Sequence, residues 1–154
     1  MSNLLRISEA ASLSMHATVL LAASPDRALT TSQIATVLGV SEAHLSKVLQ
    51  RLGRAGLVRS TRGPKGGFSL TRPSDQVTLL EVYEAIEGVV VPANCLFDTA
   101  MCRSDKCILG GLVGEVNDRV RDYLARTKLS DLTDVVGGLI AAAVGEADEG
   151  QRGL

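Results

Sequence analysis

The residues of this chain best equipped for chemistry are its three cysteines, Cys95, Cys102 and Cys107, which fall within 13 positions as C-x6-C-x4-C. Cysteines that only fill a core are scattered, whereas thiolates gathered in one stretch hold zinc or iron–sulfur clusters, or work as redox thiols. Three sulfurs leave one position of a four-coordinate set for another residue. The odd count argues against a disulfide framework. So does an N-terminus, Met1-Ser2-Asn3-Leu4-Leu5-Arg6, without the basic region and cleavage site of a signal peptide. The expected setting is a reducing cytoplasm.

A second concentration of chemistry is electrostatic. From Ala43 to Ser74 the chain holds no acid but seven bases: Lys47, Arg51, Arg54, Arg59, Arg62, Lys65 and Arg72. From Asp75 onward the balance reverses, with 14 acids against 7 bases. Solvated surfaces mix both signs, so a one-sign block inside a chain of net charge −1 points to a polyanion such as nucleic acid. Enzymatic patterns are missing. There is no nucleophile elbow, no HExxH and no dinucleotide fingerprint, and the C-x-x-C pair of a thiol redox enzyme is lacking. The turn Gly63-Pro64-Lys65-Gly66-Gly67 opens no helix and lacks a Lys-Ser/Thr ending, so it is no phosphate loop. No stretch approaches the roughly 20 apolar residues of a membrane span.

The elements that must position these groups are mostly helical. With 154 residues, 45% hydrophobic and 3% aromatic, the core must be Leu, Val, Ile and Ala on closely packed helices. Ser8 caps a helix to about Ala23, closed by Ser24-Pro25-Asp26. Thr30 and Gln33 form a capping box for a short helix stopped at Gly39. Ser41 caps a third helix to about Ala55. Ala35, Gly39, Leu45 and Val48 have the spacing of a helix-turn-helix: a small residue for close approach, a glycine turn, and two aliphatics seating the second helix. Leu45, Val48, Leu49 and Leu52 repeat at i, i+3, i+4 and i+7, so Ser41, Glu42, His44, Ser46, Lys47, Gln50, Arg51 and Arg54 face outward. Strand-like runs at Leu57–Ser60 and Phe68–Thr71 flank a flexible basic tip with Arg62, Gly63 and Lys65, placed to reach phosphates or the minor groove. A second capping box, Thr78 to Glu81, starts a helix ending at Gly88. A loop from Val89 to Asp105 follows, then a long helix from near Cys107 to about Arg126, a last helix over Leu132–Val144, and a Gly- and acid-rich tail expected to be disordered.

Arg6-Ile7-Ser8, the helix-turn-helix, and above all Gly56-Leu57-Val58 with Arg62-Gly63-Pro64-Lys65-Gly66-Gly67-Phe68 resemble the IscR/NsrR family of winged-helix regulators, the Rrf type. The resemblance spans about residues 4 to 135. It implies a mainly α fold with a hairpin wing and a long C-terminal dimerisation helix. It also implies a homodimeric regulator, a repressor by default, on a palindromic duplex operator. Residues 1–75 would read DNA, 76–144 would sense and dimerise, and 145–154 would form the tail. By position, Ser41, Ala43, His44, Ser46 and Lys47 would lie near base edges, Arg62 in the minor groove and Arg6 near the backbone. Many members carry a carboxylate where Ser46 stands, so base preference does not carry over.

The resemblance further implies a redox, nitric oxide or iron–sulfur sensor built on a 2Fe–2S or 4Fe–4S cluster held by Cys95, Cys102 and Cys107. Zinc, or no metal at all, are the alternatives. Several members have a His three residues after the last Cys, where this chain has Gly110. Others borrow a ligand from the first helix of the partner. The usual acid falls on Ser12, a poor ligand, and one turn later comes His16, where a redox-sensing relative ligates through His. On an apolar segment His16 could equally be a core or interface residue. Asp98, Asp105 and Glu9 are weaker candidates.

Overall fold

The computed structural model describes residues 7–97, 102 and 107–140. The expected tail, and the last residues of the final helix, lie outside that range. The order is α1 (Glu9–Ala22), α2 (Thr31–Leu38), α3 (Glu42–Arg54), β1 (Val58–Thr61), β2 (Gly67–Leu70), α4 (Leu79–Glu87) and α5 (Leu112–Arg126). Short 3-10 turns occupy Ser74–Gln76 and Leu129–Leu132, and residues 133–140 are helical. Among the described residues no helix is long and apolar enough to cross a membrane.

Local chemistry sets the helix starts. Ser8, Thr30, Ser41 and Thr78 each accept a backbone N–H in the first turn of the helix that follows, at Ala11, Gln33, His44 and Glu81. Gln33 and Glu81 return the bond to the capping residue's own N–H, completing both boxes. Gly39, at φ 65°, closes α2.

The core gathers around α1, which touches α2, α3, α4, β2 and the 129–132 turn. Ala11, Ala17, Leu20 and Leu21 are buried, and so are Ser14 and Thr18. The two hydroxyls donate within their own helix, Ser14 to Ala11 O at 2.7 Å and Thr18 to Ser14 O at 2.9 Å. Such back-bonding lets a polar side chain be buried without an unmet donor. Ile34, Leu45, Leu49, Leu52, Val77, Val82 and Leu129 close the same cluster, which also takes in Val136 and Ile140.

The wing is a two-stranded antiparallel hairpin with Val58 opposite Leu70 and Thr61 opposite Gly67. Its strands sit one residue off the expected limits, since the tip turn, closed by Gly66 N donating to Gly63 O at 2.9 Å, sets the register. Leu29 bridges to Phe68 through two backbone bonds of 2.8 and 3.0 Å, an added strand contact that roots the wing beside α2. That contact requires Gly67. Its φ is 145°, and a Cβ there would stand 2.5 Å from the Leu29 carbonyl oxygen. Arg72, just after β2, pairs with Glu81 at 2.7 Å, tying the wing to the first turn of α4. Burial pushes the Glu81 carboxyl up, but the bonds from Arg72 and Thr78 outweigh it and hold it below its ordinary value. The stabilisation is therefore present at neutral pH and lost as acid protonates Glu81.

One expectation needs correction. The long helix begins at Leu112, not near Cys107, because Gly110 and Gly111 take φ of 58° and 91° and end any helical run before it. Cys107 sits in the turn that precedes them. After α5 the chain returns to α4, with Leu79 N donating to Thr127 O and Leu129 N to Val77 O, both at 2.9 Å.

Gly67→Ala should cost about 2–4 kcal/mol, because the new methyl group meets backbone that cannot move without breaking the Leu29–Phe68 bridge. Urea denaturation of the variant checks this, and a loss within error of zero contradicts the geometry.

Candidate nucleic-acid interface

Helix α3 separates its two faces cleanly. Leu45, Val48, Leu49 and Leu52 are buried on the core side. Ser41, Glu42, Ala43, Lys47, Gln50, Arg51 and Arg54 are exposed on the other, with His44 and Ser46 half-buried. The amphipathic pattern makes this forced: once four aliphatics seat the helix, the polar residues between them have only solvent to face. The wing tip is equally open. Arg62, Gly63, Pro64 and Lys65 are all exposed, and nothing lies within 4 Å of where a Cβ on Gly63 would stand, so backbone and bases alike are free to meet a ligand. Gly66 has no such room: a Cβ there would stand 2.4 Å from Thr61 O.

Three side chains of this region are engaged inside the protein. The Arg51 guanidinium donates to the Ile86 carbonyl near the end of α4. The His44 ring nitrogen Nδ1 lies 3.6 Å from the carboxylate of Glu9, in the first turn of α1. Arg59 donates to Ser69 across the hairpin at 3.2 Å. Lys47, Arg54, Arg62 and Lys65 make no such bond among the described residues. Arg6 lies outside them.

The cysteine segment is a separate feature. All three thiols are free, Cys95 and Cys107 half-buried and Cys102 exposed. The segment entering Cys95 is anchored twice. Val90 N donates to the Glu84 carboxylate at 2.9 Å, and Asn117 Nδ2 donates to Ala93 O at 2.8 Å. Asn94 lies over Gly114 of α5, its side-chain oxygen only 2.5 Å from where a Cβ would stand. A glycine inside a helix costs about 1 kcal/mol, so Gly114 is the one sequence signal that could have disclosed this crossing.

His16 is not a core residue. Its ring is exposed and its Nδ1 lies 2.7 Å from Ser12 O one turn back. It lines an apolar groove of about 500 Å³ with Met15, Val19, Tyr123, Val135 and Val136, and none of the three cysteines borders that groove. Among the described residues no three His, Cys, Asp or Glu side chains converge into a metal-sized set. Glu9 is paired with His44, and Asp98 and Asp105 lie outside the described residues.

A capped helix-turn-helix followed by a basic hairpin defines a winged-helix DNA-binding regulator. Residues 7–135 match the Rrf2 family, described as iron-dependent transcriptional regulators, and the chain belongs to that family. It is 34% identical over 113 residues to YwgB, a helix-turn-helix-type regulator of Bacillus subtilis, covering 72% of each chain. It is 31% identical over 96 residues to IscR of Cronobacter sakazakii, covering 62% of this chain and 59% of that one. Among solved structures it is similar to CymR, the global cysteine regulator of B. subtilis, with TM-score 0.72, 27% identity and coverage of 86% and 98%. It is also similar to an oxidized form of Staphylococcus aureus CymR, with TM-score 0.67, 25% identity and coverage of 84% and 96%. The relatives are regulators, not enzymes.

Replacing Arg62 or Lys47 by Ala should weaken duplex DNA binding by about 1–3 kcal/mol each and leave the fold intact, since both are exposed. Fluorescence anisotropy at moderate salt reads this, and Arg62→Ala binding as tightly as wild type would remove the wing from the interface.

Proposed function

We propose that the chain is a cytoplasmic, homodimeric repressor that binds a palindromic duplex operator and answers to redox or related stress through its cysteine segment. The observation that carries the DNA reading is the pairing of an α3 face that exposes Lys47, Arg51 and Arg54, with no acid after Glu42 in its first turn, with an exposed Arg62–Lys65 wing tip. Residues 1–75 do the reading, with Ser41, Ala43, His44, Ser46 and Lys47 at base edges, Arg62 in the minor groove, and Arg6, Gly63 and Lys65 on the backbone. Arg51 contributes through its position on α3. Residues 76–144 sense and dimerise.

Dimerisation is supported by what α5 leaves uncovered. Leu112 is 53% exposed, Tyr123 57% and Val135 73%, beside Val116 and Leu139. Large apolar side chains left open on neighbouring helices mark an interaction surface. A two-fold partner across this stripe would supply the second α3 that a palindromic operator calls for.

For sensing, thiol chemistry at Cys95, Cys102 and Cys107 is one reading, supported by the free thiols, of which Cys102 is exposed, and by the likeness to an oxidized CymR. Oxidation or modification of the segment would strain its anchors on α4 and α5 and so change how two reading heads sit relative to each other. A second reading is favoured by the family's iron dependence and by the C-x6-C-x4-C spacing. In it the same three cysteines hold an iron–sulfur cluster, with His16 of a partner as the fourth ligand, once the segment has rearranged.

Val116→Asp should convert a dimer to monomers and lower operator affinity at least tenfold, as a buried unpaired charge demands. Sedimentation of a stable wild-type monomer at micromolar concentration contradicts the dimer. The absorption spectrum and the iron, sulfide and zinc content of anaerobically purified protein separate the sensor readings. Colour lost in each Cys→Ala variant means a cluster, and His16→Ala then alters the spectrum if His16 is a ligand. Colourless protein with stoichiometric zinc means a zinc site. Metal-free protein whose operator affinity answers to oxidant means thiols.

A further inference from the structure

The C-terminal end of α4 collects three polar ties from three other parts of the chain. The Ile86 carbonyl accepts from Arg51 of α3, the Glu87 carboxylate accepts from Ser8 at the cap of α1, and the Glu84 carboxylate accepts from Val90 N at the entry to the cysteine segment. The last carbonyls of a helix have no partner within it and carry its partial negative charge. A guanidinium is the side chain best suited to that place, since it stays charged and donates in a fixed fork. Arg51 is therefore an exposed base of α3 whose guanidinium is nonetheless engaged by the fold.

What makes the tie consequential is its neighbour on the same helical turn. Glu84 and Ile86 are two residues apart, so the bond that holds the cysteine segment and the bond that holds α3 are made by one short piece of helix. The other end of the segment is fixed by Asn117 on Ala93 O, two residues before Cys95. Resting on the reading above, in which α3 meets DNA and the cysteine segment senses, we propose that Arg51 is a positioning residue that couples the two. A displacement at Cys95 reaches Val90, then Glu84 and the end of α4, and through Ile86 O it re-aims α3. Arg54, three residues on at the end of the same helix, makes no such bond among the described residues and is the natural control.

The test is hydrogen exchange read by mass spectrometry on the full chain without DNA, where a phosphate contact has no influence. Arg51→Gln and Arg51→Lys should each speed exchange of the amides over residues 88–94 by about threefold or more, the gentler Lys change less than Gln. Amides of α1 should keep wild-type rates, and Arg54→Gln should alter neither region. In reverse, Asn117→Ala, which frees the segment at Ala93, should speed exchange over residues 48–54. Exchange over 88–94 that is the same in both Arg51 variants as in Arg54→Gln overturns the coupling, as does a rise spread equally over α1, which would mark general loosening. The sensing reading is judged separately, by operator affinity of wild-type protein before and after thiol modification. An unresponsive affinity removes the sensor, while the exchange result still decides the linkage.

Discussion

The constraint on which the rest of the structure depends is that α1 is enclosed by nearly every other element. It meets α2, α3, β2, α4 and the turn after α5, so the half with the helix-turn-helix and hairpin and the half that bears the cysteines share one helix as their core. Ser14 and Thr18 show how strict that enclosure is: both are fully buried, and their hydroxyls are satisfied only by turning back onto the helix that carries them. With α1 common to both halves, residues 75 and 76 mark no break in packing. Val77, Val82 and Leu129 belong to the same cluster as Leu45 and Leu49.

Around that core the surface is divided by function. The face of α3 and the wing tip are held out to solvent by apolar seating and by the Leu29–Phe68 bridge, with no acid between residues 43 and 74. The acids are placed where they serve the fold: Glu81 on Arg72, Glu87 on Ser8, Glu84 on Val90 N, Glu9 beside His44. Separation of charge along the sequence thus becomes separation of task in space.

Much of this was legible before the structure because it is written locally. A helix cap needs only residues three positions apart, and Ser8, Thr30, Ser41 and Thr78 each start the helix expected of them. The buried face of α3 follows from its 3.6-residue period. What escaped was tertiary. Nothing in the spacing of Arg51 says that Ile86 will present a carbonyl to it 35 residues later, and the approach of half-buried His44 to Glu9 depends on how α1 crosses α3. The start of α5 was misread for a different reason: Leu109 continued the apolar period, and that outweighed the Gly110-Gly111 pair. Of the α3 residues expected to face DNA, the exposed ones are those its period left over; the cysteines were found as a group, but the anchors of their segment on Glu84 and Asn117 were not.

The Gly110–Gly111 break has a mechanical meaning of its own. A helix continuous from Cys107 would carry that sulfur on a rigid rod, its start about 7 Å further out at 1.5 Å per residue, and any torque there would turn the whole of α5. Two successive glycines at positive φ put a turn in place of that rod. Within it the Cys107 carbonyl accepts from Gly110 N at 3.0 Å and the sulfur from Leu109 N at 3.4 Å, so Cys107 is seated in a local turn and not on the helical lever. A substituent on that sulfur would meet the turn first, and α5 only through it.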